Sequence, residues 1–353
     1  MIKIKTLCIV FLFMLSCSVN AGEQVIVVKK GDAASLLEAI DLANKQNADS
    51  LSERIFILIP DGLYDLKSAV LTTITGHNVS LIGQSMYFTV IRNAPPIEME
   101  GVNKTATIRN TGSGLYMQDL TLQNDLNYYQ SGYAGRAVAF QDKGTRSILN
   151  HVRLMSYQNT YFTDNALGQS YLYCSEIHGT VDFICGGGDA LFDLCSLVTE
   201  RRSADGSGYN VIAAPSTSQT QWGYVFLNCD IYNRDSEFLY ACGWQATPRC
   251  VWVNTCLKTP EKLKEPRFEL EGVFTNKNYF KEYNTKNVNG EDITPKSNVV
   301  TFTLEGEENA VETILTKQEA KEYQLNNIFP DWKPRNIVYK LSDKAAKLRK
   351  QHL

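Results

Sequence analysis

The sequence predicts an all-β fold, a single-stranded parallel β-helix with a short N-terminal helix cap and an irregular, partly helical C-terminal tail. Three observations predict it. Short runs of β-branched and aromatic residues recur from Arg54 onward, separated by Gly, Asn and Asp. The runs are too short and too regularly spaced to leave room for crossover helices. Several share one phrase, a polar residue followed by alternating apolar ones: Asp119-Leu-Thr-Leu122, Asn150-His-Val-Arg-Leu154, Cys195-Ser-Leu197 and Cys229-Asp-Ile231. The phrases recur at unequal intervals of about one coil or more, as stacked coils with loops on one side require.

The elements follow in order. Residues 1–21 read as an export signal: Lys3 and Lys5 precede an apolar stretch from Thr6 to Leu15, too short for a span of about 20 residues. Two cleavage readings stand. Val19-Asn20-Ala21 suits a signal peptidase and secretion, whereas Met14-Leu15-Ser16-Cys17 resembles a bacterial lipoprotein box that would lipidate Cys17. Residues 22–340 read as one domain. Val25–Val28 is a first strand, and Asp32 to Asn44 a helix, with Asp32 as its cap and Leu36, Ile40 and Ala43 on one face. Strand runs follow, among them Ile55–Ile59, Val79–Ile82, Val225–Leu227 and Val251–Val253. Glu261 to Thr294 reads as extended surface segments. Thr316 caps a short helix, with Glu319 completing a capping box. Residues 341–353 read as a basic tail, frayed from Ser342 onward.

Composition excludes some functions. Of 353 residues, 44% are hydrophobic and 21% charged, and 35 basic against 38 acidic side chains give a net charge of -3. So even a balance gives no field for nucleic acid. Nine cysteines are present. Cys8 and Cys17 fall in the signal region, leaving an odd number, so at least one stays unpaired within the molecule. Cys195 and Cys229 share a phase and are expected in an internal stack, with Cys174 and Cys256 facing elsewhere. No cysteine pair has zinc-like spacing and only four histidines exist, so neither a metal nor a cofactor is expected.

Six segments, in order, carry a resemblance: Gly62-Leu-Tyr64; Leu81-Ile-Gly83 with Thr89-Val-Ile91; Thr105-Ala-Thr107 with Met117 to Asn124; Tyr157-Gln-Asn-Thr160; Gly179-Thr-Val-Asp-Phe-Ile184; and Leu315 to Ala320 with Tyr323. Together they resemble the pectin methylesterases over nearly the whole mature length. The resemblance implies a right-handed parallel β-helix of the pectin lyase-like kind. It also implies hydrolysis of methyl esters on pectin at a shallow cleft by an exported protein, for which a monomer is the default. In that chemistry one carboxylate attacks the ester carbonyl. A second protonates departing methanol and then deprotonates water, glutamines stabilise the oxyanion, and an arginine orients the nucleophile. Asp182 matches the nucleophile and Gln158 an oxyanion glutamine.

Three positions depart from the pattern. Asn159 stands where the family has its acid, in Tyr-Gln-Asp-Thr. Cys242, in Tyr240-Ala-Cys-Gly-Trp244, stands at the arginine. Arg136 stands at the other oxyanion glutamine, where a guanidinium can still stabilise negative charge. An amide cannot donate a proton to methoxide, a loss of about 10²- to 10⁴-fold. Asp142, Asp164 and His178 are weighed as substitutes; each is more simply a turn or surface residue. Asp189 and Asp193 follow the Gly186-Gly-Gly188 run, which is a tight turn without the lysine of a phosphate loop. Trp244, Phe183, Tyr161 and Trp222 are candidates for packing on sugar rings, with Tyr128, Tyr129 and Tyr133 in a nearby loop; about half of such aromatics belong to the core. The readings left open are a pectin methylesterase, a non-catalytic pectin-binding relative, and a calcium-dependent lyase on the same scaffold. No acidic cluster at a motif favours the last.

Overall fold

The computed structural model describes residues 24–353 apart from 132–134, 235, 245–246, 260–261, 271–278 and 298. The signal segment, Cys17 and Tyr133 therefore lie outside the described residues. Successive coils wind a right-handed parallel β-helix with three faces. Two faces form a 17-stranded sheet, joined where the nine-residue strands Tyr116–Asn124 and Ser147–Met155 bend across both. The third face is an eight-stranded sheet of short parallel strands. One coil shows the plan: Gln169–Tyr173, a corner, Glu176–Gly179, a second corner, Ile184–Gly186, then Asp189–Asp193 above the start.

The recurring phrase is the first corner. Asp119, His151, Cys174, Leu194, Asn228, Asn254 and Asn284 all carry φ between 48° and 58° there. Left-handed backbone suits Asn and Asp, whose side chains bond locally, and strains other L-residues. Asn284 Nδ2 donates to Asn254 Oδ1 at 2.7 Å, and Asn254 Nδ2 to Asn228 Oδ1 at 3.0 Å, an exposed amide ladder. Leu194, the preceding rung, is 47% exposed and makes no such bond. Leu194→Asn therefore raises stability by about 0.5–1 kcal/mol, the relief of αL strain plus a ladder bond; an unchanged or lowered denaturant midpoint would contradict this.

Inside, side chains stack coil upon coil. Phe192 lies 4.4 Å from Phe226 and Phe226 3.8 Å from Trp252, rings nearly parallel. Cys195 and Cys229 lie in this interior, each thiol donating to backbone carbonyls, as their shared phase predicts, whereas Cys174 and Cys256 are half-buried. All seven described cysteines are free thiols. The N-terminal end is closed by the helix Ala33–Gln46, capped by Asp32 through the amides of Ala34 and Ser35. The capping box of Thr316 and Glu319 opens the helix Lys317–Ala320.

Two segments differ from expectation. Where the sequence predicts surface segments from 261 to 294, the described residues there continue the coils: Tyr279–Tyr283 pairs with Arg249–Val253, and Phe268 and Phe280 are fully buried. Arg267 and Glu282 form an ion pair at 2.7 Å beneath them. The basic C-terminus does not fray. Pro334–His352 is one helix, starting on a proline that suits its first turn. It buries Val338, Leu341, Ala345 and Leu348 against the outer face of the 17-stranded sheet, beside Phe56, Tyr116 and Ile148. Arg349 reaches Asp119 at 2.6 Å and the Gly83 carbonyl at 2.8 Å. No described helix is long and apolar enough to cross a membrane.

Candidate active site

The second corner, leading onto the third face, holds the matched motifs. Asn159 and Asp182 each stand two residues ahead of a third-face strand, Tyr161–Thr163 and Ile184–Gly186, and each has left-handed backbone, φ 60° and 49°. Asp and Asn tolerate that conformation best, so the corner accepts either at a modest cost. Gly179 is required by close approach: a Cβ there would stand 2.1 Å from that of Phe183. Phe183 turns inward over that glycine, and the next residue back, Asp182, turns out. Gly186, at φ 116°, admits no Cβ either, because Thr163 O lies 2.1 Å from its position.

Asp182 lines a pocket of about 430 Å³ with Val181, Arg202, Gly208, Tyr209, Val211, Cys242 and Glu269. The Cys242 thiol donates to Asp182 Oδ1 at 3.3 Å. Burial pushes the Asp182 carboxyl up to about 6; the Cys242 hydrogen bond and the Arg202 charge oppose that shift, and Glu269 adds to it. Burial and the Asp182 charge hold the Cys242 thiol well above its usual range. It is thus a neutral donor and not a thiolate nucleophile. A neutral thiol gives Asp182 far less than a guanidinium would, so this carboxyl is less ionised near neutrality than one beside an arginine.

Asn159 is 8% exposed. Its amide donates to the Asp182 carbonyl oxygen at 3.3 Å and to Cys185 Sγ at 3.2 Å, so it holds the Asp182 corner and presents no acid. Gln158 is half-buried, and its Oε1 makes no hydrogen bond among the described residues. Arg136 pairs with Gln158 across adjacent coils. Its guanidinium is gripped by both oxygens of Glu100, at 2.9 and 2.7 Å. The structure thus brings Asp182, Gln158, Asn159 and Arg136 to consecutive coils.

The aromatic candidates divide. Trp244 is 50% exposed two residues beyond Cys242, free to take a sugar face. Phe183 and Tyr161 are fully buried in the interior, Tyr161 stacked on Phe140 at 5.7 Å, so neither faces the pocket. Trp222 lies on the far side, edge-on to Tyr323 and packed under the C-terminal segment. An aromatic wall is formed instead by Tyr128, Tyr129 and Tyr157. Tyr128 and Tyr157 stack at 5.0 Å, Tyr129 closes edge-on at 5.2 Å, and Tyr128 contacts Arg202 of the pocket.

None of the substitute groups lines the pocket. Asp142 is buried beneath the sheet, bonded by Asn110, Ser170 and the Gly144 amide. Asp164 accepts from Gln141 and Lys143. His178 is clamped between Glu176 and Glu200 at 2.5 and 2.6 Å. Asp189 caps the amides of Trp222 and Gly223, and Asp193 pairs with Arg335. Among the described residues no group of three His, Cys, Asp or Glu side chains is placed to hold a metal.

The pocket also holds residues that the sequence did not single out. Glu269 pairs in register with Cys242 and accepts the Tyr209 hydroxyl at 2.7 Å. The Lys264 ammonium lies 4.7 Å over the Tyr209 ring. Only strand register, invisible in one sequence, places them there.

Comparison with known proteins agrees with this geometry. The family model described as Pectinesterase matches residues 24–255. Two Arabidopsis thaliana proteins are similar: a probable pectinesterase/pectinesterase inhibitor 64, 30% identical over 64% of this chain and 37% of its own length, and a probable pectinesterase 30, 31% identical over 60% and 41%. The chain thus spans about two fifths of the length of these curated relatives. Among solved structures, the pectin methylesterase from Erwinia chrysanthemi superposes with a TM-score of 0.67, at 22% identity, covering 90% of this chain and 99% of its own.

Proposed function

The chain belongs to the pectinesterase family, and on that premise we propose that it hydrolyses methyl esters of pectin, releasing methanol, with Asp182 as the attacking group. One observation carries the reading: at the family's nucleophile position stands a carboxyl held at the cleft corner, with its oxygen fixed by Cys242 and the Gln158 amide one coil away. In its ionised form an Asp182 oxygen bonds the ester carbonyl carbon, and Gln158 and the Arg136 guanidinium lie on the coils where the oxyanion develops. Trp244 and the Tyr129–Tyr157 wall offer ring faces to the polymer on either side. A plant cell-wall polymer lies outside cells, which agrees with reading residues 1–21 as an export signal. The protein acts as a monomer and without a cofactor in this reading.

A second reading, a pectin-binding relative without turnover, is favoured by Asn159, whose amide cannot protonate methoxide. The two separate in one experiment. Purified protein is mixed with highly methylated pectin, and bound polymer and free methanol are measured together. Methanol release with turnover supports hydrolysis. Binding without methanol supports the second reading, and absence of both overturns the pectin assignment altogether.

A further inference from the structure

We infer that Glu269 supplies the acid and base function that Asn159 cannot, from the opposite side of Asp182; the inference rests on the esterase reading above. Glu269 and Asp182 are the two carboxyl groups lining the pocket. Cys242 connects them: its thiol touches Asp182 at 3.3 Å, and Glu269 is its register partner on the neighbouring strand, one strand spacing of about 4.8 Å away. Two further methylenes let the Glu269 carboxylate swing into the pocket. The two charges sense each other, since Glu269 contributes to the raised Asp182 carboxyl.

The charged and titratable surroundings of Glu269 are specific. Tyr209 donates its hydroxyl to Glu269 Oε2 at 2.7 Å, Lys264 stands over the Tyr209 ring, and Arg202 and Cys242 line the same pocket. Tyr209 fixes one carboxylate oxygen and leaves the other for the reacting groups.

The steps balance. An Asp182 oxygen bonds the ester carbonyl carbon, and the bond from that carbon to the methoxy oxygen breaks. The departing oxygen takes the proton of the Glu269 carboxylic acid and leaves as methanol. Glu269, now a carboxylate, takes a proton from water. The water oxygen bonds the acyl carbon, the bond to Asp182 breaks, and the freed carboxylic acid departs. Ester and water give acid and methanol, and both side chains end as they began.

The test is Glu269→Gln, which keeps the shape and the acceptor for Tyr209. Methanol release from methylated pectin is measured in the unaltered chain and in Asn159→Asp, each with and without the glutamine. We expect kcat to fall about 10²-fold in the unaltered background with KM little changed. In the Asn159→Asp background the fall is under about tenfold, because a carboxyl then stands at the ordinary position. A merely structural role would cost the same in both backgrounds and would overturn the inference, as would full activity of Glu269→Gln. An unaltered chain that releases no methanol overturns the esterase reading and this inference with it. Retained release in Glu269→Gln overturns the inference alone. Matching melting temperatures show that the variants fold.

Discussion

Asn159→Asp combined with Cys242→Arg raises methanol release from methylated pectin by about 10²-fold, the lower end of what a positioned general acid contributes, since Glu269 already carries part of that work. The local geometry favours the change. An Asp at 159 faces the Asp182 carbonyl oxygen, which the Asn159 amide now bonds at 3.3 Å. Only a protonated carboxyl can donate to that acceptor, so the site selects the acid form. The left-handed corner accommodates Asp as readily as Asn. Cys242→Arg places a guanidinium beside Asp182, favouring the ionised nucleophile where burial now holds it at about 6. The gain is read as kcat at pH 7. A double variant no faster than the unaltered chain, though folded, contradicts the assignment of these two positions.

Asp182→Asn abolishes methanol release and at the same time stabilises the fold at pH 7 by about 2 kcal/mol. The Asp182 carboxyl is raised from 3.8 to about 6, so the folded chain holds this proton more tightly than the unfolded chain. Its stabilising contribution is whole below about pH 3.8 and is lost as pH rises through 6. About two pH units at 1.36 kcal/mol each, discounted because the group is partly open to water, give the figure. Asparagine does not titrate, so the stability gain of the variant appears at pH 7 and vanishes near pH 3.5. Urea midpoints at both pH values measure it. An equal gain at both would place its origin in αL strain or packing, not in the buried charge. The same shift leaves the ionised, attacking form of Asp182 in the majority only above about pH 6.

Much of this was legible in the sequence because it is local. The first corner announces itself by a polar residue or cysteine at or beside a left-handed position, ahead of alternating apolar residues, and Asp32 and Thr316 announce their helices by side-chain capping. Asp182, Gln158, Asn159 and Cys242 lie near one another because the coil repeat brings consecutive motifs to one side. Orientation was harder. Phe183 follows Asp182 directly and Tyr161 stands two residues beyond Asn159, yet the closeness of Gly179 turns Phe183 inward and the strand turns Tyr161 inward. The C-terminal helix was hidden by its own charge. Lys344, Lys347, Arg349 and Lys350 mask an apolar stripe of Leu341, Ala345 and Leu348, which has meaning only against the sheet it covers. Glu269 and Tyr209 carry no motif at all, since their place in the pocket follows from register across two neighbouring strand pairs.

The central claim, that Asp182 hydrolyses methyl esters in this altered cleft, is tested most directly by methanol release from highly methylated pectin, comparing the unaltered protein with Asp182→Ala. The account predicts steady release by the unaltered protein and none above the uncatalysed rate for Asp182→Ala. Equal release by both, or none from a folded unaltered protein that still binds the polymer, would contradict it.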